Sequence, residues 1–372
     1  MGVLCFMKPC LEDVLKRFNI KGEFTEAQPV NSGHINDTYV VCFKQNNNTR
    51  QRYVLQRINH YVFKEPDKLM DNIIKVTAYL RKKIESSSGN PNRETLSFIP
   101  VSSGKFLHVS EDGSYWRVYS YIEDAITYQV VENSNHFYNA GKAFGRFQML
   151  LSDFPVDDLY ETIPDFHNTP KRLKALIETI DKDINNRAIN VSSEIDFVMK
   201  RAEETSIIVN LLDENKLPLR VTHNDTKFNN VLIDTNTGEG ICVIDLDTVM
   251  PGTSLYDFGD SIRSGANTAD EDEPDLAKVW MDIGLFEQFT RGYLEMAGGF
   301  LTPTELEYLP FSAKLITFEL GMRFLMDYLN GDIYFKIHRD GHNLDRARVQ
   351  FKLVSDMEAK YDKMKNIVEK YK

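Results

Sequence analysis

The stretch RVTHNDTKFNNVLIDTNTGEGICVIDLDT, residues 220–248, decides how this chain is read. Two apolar runs, Val231 to Ile233 and Ile241 to Ile244, flank a Thr-Asn-Thr-Gly turn, the signature of a β-hairpin. A turn centred between Thr237 and Gly238 sets Asn230 opposite Asp245. Directly opposed residues lie about 5 Å apart and project to one face, so an amide oxygen and a carboxylate would converge on a hard cation. Magnesium suits that pair, because it keeps waters or substrate phosphates in its remaining positions. Just upstream, His223-Asn224-Asp225 closes a short apolar run, and Asp225 precedes Asn230 by five residues. Phosphoryl transfer uses this H-x-D-x-x-x-x-N order: Asp takes the acceptor proton, Asn holds metal, and a second Asp beyond the hairpin joins metal to phosphates.

A bare H-x-D is common, whereas the set with strand, turn, strand and Asp at the right offset is specific. The bland alternative makes Asp225 and Asn230 turn formers, Asp245 a strand-end cap and His223 a packed histidine. A second triplet, His338-Arg339-Asp340, lacks the Asn five residues on, since position 345 is Asp345, and no strand-turn-strand follows. It reads as a loop.

Outward from this stretch the chain changes character. Beyond about residue 134, amphipathic periodicity predicts helices over 136–152, 171–185, 194–213, 275–297, 304–330 and 344–370. Before it, Thr38 to Phe43, Tyr53 to Arg57 and Ser114 to Ile122 are short, β-branched and aromatic, and bounded by turn residues. Between them Leu69, Ile73, Val76, Leu80 and Ile84 hold one face of a helix. Asn46 to Asn48 reads as a hairpin turn. The expected fold class is α+β: a small mixed lobe with an antiparallel sheet over 1–123, and a larger, mainly helical lobe over 124–372. A cleft between such lobes is the usual place for a ligand. The segment Asn31-Ser32-Gly33-His34-Ile35-Asn36 precedes a strand, and its glycine turn would let backbone N–H groups approach phosphates.

Composition bounds the partners. The 372 residues carry 44 Lys and Arg against 55 Asp and Glu, a net charge of −11, with no long basic run. That argues against a general affinity for nucleic acid or anionic membrane. Cys5, Cys10, Cys42 and Cys242 are widely spaced and suggest neither disulfides nor zinc. The N-terminal apolar run is too short for a signal peptide, and Phe6 stands where myristoylation wants Ser or Thr. A cytoplasmic, monomeric protein is expected.

The motifs THNDTKFNNVLID, VIDLDTVMPGTSLYDFGDSIR, SGHINDTY and GMRFLMDYLNGDIYF resemble those of N-acetylhexosamine 1-kinases, within the aminoglycoside phosphotransferase and choline kinase superfamily. The resemblance spans nearly the whole chain. It implies a two-lobed, protein-kinase-like fold that uses ATP and Mg2+ to phosphorylate the anomeric hydroxyl of GlcNAc or GalNAc. It makes Asp225 the base, Asn230 and Asp245 the metal ligands, and Gly33, His34, Ile35 and Asn36 the phosphate-covering loop. Tyr121 and Ile122 would meet adenine, and Arg323 and Tyr334 would hydrogen-bond the sugar. Without it, Arg323 reads as an ion pair with Asp327, Tyr334 as a core aromatic, and Tyr121 and Ile122 as strand packing. One departure stands out: Gln56 occupies the strand position where the wider superfamily carries a phosphate-pairing Lys. Arg57, His34 or Lys227 would compensate, or the metal would do more of the work, and the acidic partner of that missing Lys is unassigned. The competing readings are a kinase for a cationic acceptor such as choline or an aminoglycoside, with the acidic run 270–275 as its box, and a non-catalytic pseudokinase.

Overall fold

The computed structural model describes residues 11–30 and 35–372. The chain forms two compact units. One holds the residues to Ala125 together with 157–163 and 246–250; the other holds 126–156, 164–245 and 251–372. The chain thus leaves the first unit and returns to it twice.

In the first unit, α1 (Leu11–Leu15) precedes β1 (Glu23–Val30), β2 (Asp37–Lys44) and β3 (Arg50–Ile58). Then come α2 (Pro66–Ser86), α3 (Pro91–Glu94), β4 (His108–Val109) and β5 (Tyr115–Ser120). The strands make one antiparallel sheet in the order β1-β2-β3-β5-β4. Alternation along the strands explains its two faces. Val41, Phe43, Tyr53, Leu55, Trp116 and Val118 pack on Val14, Leu15 and Phe18 around α1. On the opposite face Thr38, Gln56 and Arg117 stand abreast on β2, β3 and β5. The β2–β3 turn is where Asn46 to Asn48 placed it: Gln45 N donates to Thr49 O (2.8 Å), and Asn48 takes a φ of 63°. Helix α2 begins with Pro66 in its first turn and buries Leu69, Ile73, Val76, Leu80 and Ile84, as their spacing predicts.

In the second unit, after β6 (Ala125–Ile126), the helices are α4 (Ser134–Leu150), α5 (Thr169–Lys182), α6 (Ser192–Met199) and α7 (Ile207–Asp213). Strands β7 (Arg220–Thr222), β8 (Val231–Asp234), β9 (Gly240–Val243) and β10 (Met250–Gly252) follow. The chain closes with α8 (Ser254–Gly265), α9 (Ile283–Ala297), α10 (Pro303–Leu329), α11 (His342–Ala359) and α12 (Tyr361–Tyr371). Three expected helices are interrupted. A 3-10 stretch at Ala202–Ser206 divides 194–213. Helix α9 starts only at Ile283, where the Asp282 carboxylate accepts from the Gly284 and Leu285 amides (2.7 and 3.0 Å). The segment 344–370 breaks at Lys360, whose ammonium leaves the helix line for Asp356 (2.6 Å) and the Met281 carbonyl (2.7 Å).

Helices α4 and α9 approach backbone to backbone. A Cβ on Gly292 would strike the Tyr138 carbonyl, and one on Gly141 the Phe289 carbonyl. Gly292→Ala is therefore expected to cost about 1–3 kcal/mol as an overpacked contact. An unchanged denaturant midpoint for that variant would contradict the close approach.

Candidate active site

Asp225, Asn230 and Asp245 all lie in the helical unit, on the β7-to-β9 segment. His223 anchors that segment. Its ring, fully buried and set edge-on to Phe144 and Phe147, lies 2.8 Å by Nε2 from the Ile244 carbonyl, and its Nδ1 lies 3.2 Å from the Asp225 amide. An N–H can donate to only one acceptor here, which fixes the Nε2–H tautomer: the ring donates to Ile244 and accepts from Asp225. One imidazole thus ties the start of the loop to the end of β9.

The Asp225 carboxylate sits 2.9 Å from the Lys227 ammonium. Burial disfavours its charged form, but the Lys227 ammonium, with Arg263 beyond it, outweighs burial and holds the carboxyl below the usual carboxylate range. Asp225 in turn raises the Lys227 ammonium well above its ordinary value. Asn230 donates its amide to the Asp225 carbonyl (2.7 Å) and carboxylate (3.2 Å). Among the described residues its side-chain oxygen accepts no hydrogen bond.

The hairpin register differs from the expected one. Val231 pairs with Val243 and Leu232 with Cys242, followed by an irregularity that sets Ile233 against Gly240. The turn is asymmetric because Asp234 Oδ1 accepts from both the Asn236 and Thr237 amides (2.9 Å each) and Gly238 takes a φ of 73°. Asn230 consequently faces Ile244, whose amide donates to its carbonyl (2.9 Å), and not Asp245. A one-residue slip would turn a strand side chain to the other face. Asp245, however, has left the strand: its φ is 61°, so local backbone rather than strand alternation directs its carboxylate. Among the described residues no group of three or more His, Cys, Asp or Glu is placed to hold a metal ion. One amide and one carboxylate oxygen fit a hard divalent ion that takes its other ligands from phosphates and water.

Asp257 carries the loop and escaped the sequence reading. Its carboxylate accepts from the His223 amide (2.9 Å), the Asn224 amide (2.8 Å) and Gln148 Nε2 (2.6 Å), while its carbonyl accepts from the Thr226 hydroxyl (2.5 Å). Ser261 then donates to the Thr226 carbonyl (3.0 Å). A signal was available: α8 is buried along almost its whole length yet carries Asp257, Asp260 and Arg263, and buried charges need partners. Asp260 and Arg263 answer each other at 2.7 Å.

A second cluster continues from Tyr256. Its ring lies 4.8 Å from that of His167, whose Nδ1 is 2.9 Å from Glu319 on α10; Thr169 donates to the same carboxylate (2.7 Å). One turn further along α10, Arg323 lies 5.6 Å from the rings of both Phe166 and Phe335. The expected alternative, an ion pair with Asp327, is not formed. Asp327 instead accepts from the Ile333, Tyr334 and Phe335 amides (3.1, 2.8 and 2.9 Å) and from Asn343 (2.9 Å). Among the described residues Arg323 has no hydrogen bond or ion pair. Tyr334 is 69% exposed, so it is not a core aromatic.

The remaining assignments fall in the first unit. Gly33 and His34 lie outside the described residues. Ile35 is exposed; Asn36 donates to Asp247 (2.6 Å) and accepts from the Asn59 amide (3.0 Å). Tyr121 lies under the Arg52 guanidinium (4.1 Å) and its amide donates to the Arg52 carbonyl (3.2 Å); the Ile122 side chain is buried. Arg57 pairs with Asp37. The triplet at 338–340 lies in the loop between α10 and α11. Much of the acidic run is met by cations: Glu271 by Arg263 (3.4 Å), Asp272 by Arg339 (3.7 Å) and Glu273 by Lys278 (3.4 Å). No helix among the described residues is long and apolar enough to cross a membrane.

Known structures share this architecture. An aminoglycoside phosphotransferase from Alicyclobacillus acidocaldarius superimposes with a TM-score of 0.59 over 98% of each chain at 12% identity. An amicoumacin kinase in complex with AMP-PNP and Ca2+ gives 0.56, covering 94% of this chain and 92% of that one at 14% identity. A choline kinase from Cryptosporidium parvum gives 0.52, covering 93% and 92% at 13% identity. At such identities the likeness concerns the fold, which is mixed α+β and kinase-like. Residues 26–298 match the profile of the APH phosphotransferase enzyme family, a span that includes most of the sheet, the His223-to-Asp245 segment and Asp257. With both the family profile and the fold in agreement, the chain belongs to the APH family of phosphotransferase enzymes.

Proposed function

We propose that this phosphotransferase uses ATP and a divalent metal, Mg2+, to phosphorylate the anomeric hydroxyl of an N-acetylhexosamine. The observation that carries the acceptor assignment is Arg323, which among the described residues makes no hydrogen bond or ion pair and is flanked by Phe166 and Phe335. It would repel choline or a protonated aminoglycoside, whereas an uncharged sugar supplies oxygens for its donors and a ring face for the aromatics. The acidic run 270–275 is a weaker box, since Glu271, Asp272 and Glu273 already meet Arg263, Arg339 and Lys278. The family and the kinases of similar fold support ATP and a metal.

In this reading Asp225 accepts the proton of the sugar hydroxyl, and its lowered pKa keeps it ionised and ready to do so. Lys227, held 2.9 Å away, balances the carboxylate beside the incoming phosphates. Asn230 and Asp245 would hold the metal, which supplies charge neutralisation on the transferring phosphoryl group. Arg323 and Tyr334 orient the acceptor. Ile35 and Asn36, with Gly33 and His34, would cover the phosphates, Gln56 would lie beside them, and Tyr121 and Ile122 would meet the adenine.

The test is a phosphotransfer screen of GlcNAc, GalNAc, choline and aminoglycosides with product analysis. Sugar 1-phosphate is the expected product; phosphate on choline, an aminoglycoside or a primary sugar hydroxyl would overturn the assignment. Asn230→Ala is expected to raise the Mg2+ needed for half-maximal rate by at least tenfold, and an unchanged titration would remove Asn230 from the metal.

A further inference from the structure

The sheet carries a buried ion pair where the wider pattern calls for a lysine. Gln56 on β3 is flanked in register by Thr38 on β2 and Arg117 on β5. Directly opposed residues share a face, and here they bond: Arg117 Nε donates to Gln56 Oε1 (2.9 Å), and Gln56 Nε2 donates to the Thr38 hydroxyl (3.1 Å). The far end of the guanidinium pairs with Asp247 through Nη1, and both residues are almost wholly buried, at 2% and 3% exposure. Asn36 adds a donor to the second Asp247 oxygen (2.6 Å). Helix α2 also reaches this guanidinium. It sets the Met70 sulfur 3.8 Å from Arg117 Nη1, while its own Asp71 pairs with Lys75 (2.8 Å).

We infer that Arg117 and Asp247 are positioning residues that replace the missing lysine and its acidic partner, with the cation moved one strand over. The relocation has a consequence for the metal. Asp247 stands two residues after Asp245, in a segment, 246–250, that belongs to the first unit. Asn72 on α2 grips the same segment by donating to the Val249 carbonyl (2.9 Å). The buried pair therefore fixes the chain directly beyond Asp245 and, through Nε, the side chain of Gln56. A cation that reaches the phosphates itself is replaced by one that holds the groups that do. Removing one partner of a buried pair strands the other charge, so the effect extends to both groups at once. This inference rests on the phosphotransfer reading for the roles of Asp245 and Gln56.

The experiment measures Mg2+-dependent binding of AMP-PNP by calorimetry, thermal melting, and the Mg2+ dependence of phosphotransfer. Arg117→Met is expected to weaken Mg2+-dependent AMP-PNP binding at least tenfold and to raise the Mg2+ requirement. Adding Gln56→Lys should restore most of the loss, because a lysine at 56 extends past the amide it replaces towards Asp247. Should Arg117→Met fail to fold, the pair Arg117→Met with Asp247→Asn leaves no stranded charge and reads the same two quantities. Wild-type nucleotide affinity and Mg2+ dependence in folded variants would overturn the inference, as would a folded Gln56→Lys double variant without recovery. Wild-type protein that binds no nucleotide with Mg2+ would overturn the phosphotransfer reading and this one with it.

Discussion

Asp225→Asn is expected to bind ATP normally and to lose about 10²–10⁴-fold in turnover, the range a positioned general base supplies. Asparagine keeps the shape of the side chain, so the loop held by His223 and Asp257 stays in place. What disappears is the proton acceptor and the negative charge that balances Lys227 at 2.9 Å. Nucleotide binding by calorimetry and single-turnover rates separate the two effects, and near-normal turnover would remove Asp225 from the base role. The pH dependence follows with a definite sign. A carboxyl held below its usual range stays ionised as pH falls, so the wild-type rate should lose its base only below the ordinary carboxylate range.

Asp257→Ala should be the most damaging single change to stability. The variant strands three buried donors, the amides of His223 and Asn224 and the side chain of Gln148. At about 1–3 kcal/mol for each unsatisfied group, the loss is on the order of 3 kcal/mol or more, a large share of the 5–15 kcal/mol typical of a folded protein. Asp257→Asn, which keeps an acceptor oxygen, should retain part of the loss. Equilibrium denaturation measures both, and an Ala variant within about 0.5 kcal/mol of wild type would show that the loop is held by other contacts.

Much of the architecture is legible in the chain because its signals are local. The spacing of Leu69 to Ile84 places α2, and the β-branched runs place β2, β3 and β5. Strand β1 gives no such signal: none of Glu23–Val30 is buried, and a polar edge strand has no alternation to read. One expected long helix breaks at Lys360, whose side chain reaches the Met281 carbonyl, 79 residues away. Periodicity carries no trace of that contact. Asp225, Asn230 and Asp245 stand out through their spacing, but the register between the last two differs from the expected one because Asp234 and Gly238 reshape the turn. Arg117 was invisible for a different reason. In a strand it looks like any outward polar residue, and only pairing with Gln56 and Asp247, 61 and 130 residues away, gives it meaning.

The twice-returning path of the first unit bears on synthesis at the ribosome. A nascent chain that has reached Ala125 has all five strands of the sheet, yet Arg117 has no Asp247 and Asn72 has neither Tyr160 nor Val249. Completion waits for about 125 further residues, roughly 6–25 s at ordinary elongation rates. During that interval the Arg117 guanidinium has Gln56 beside it but not yet Asp247, and the first unit acquires its last buried contacts only after residues 164–245 of the other unit have been made.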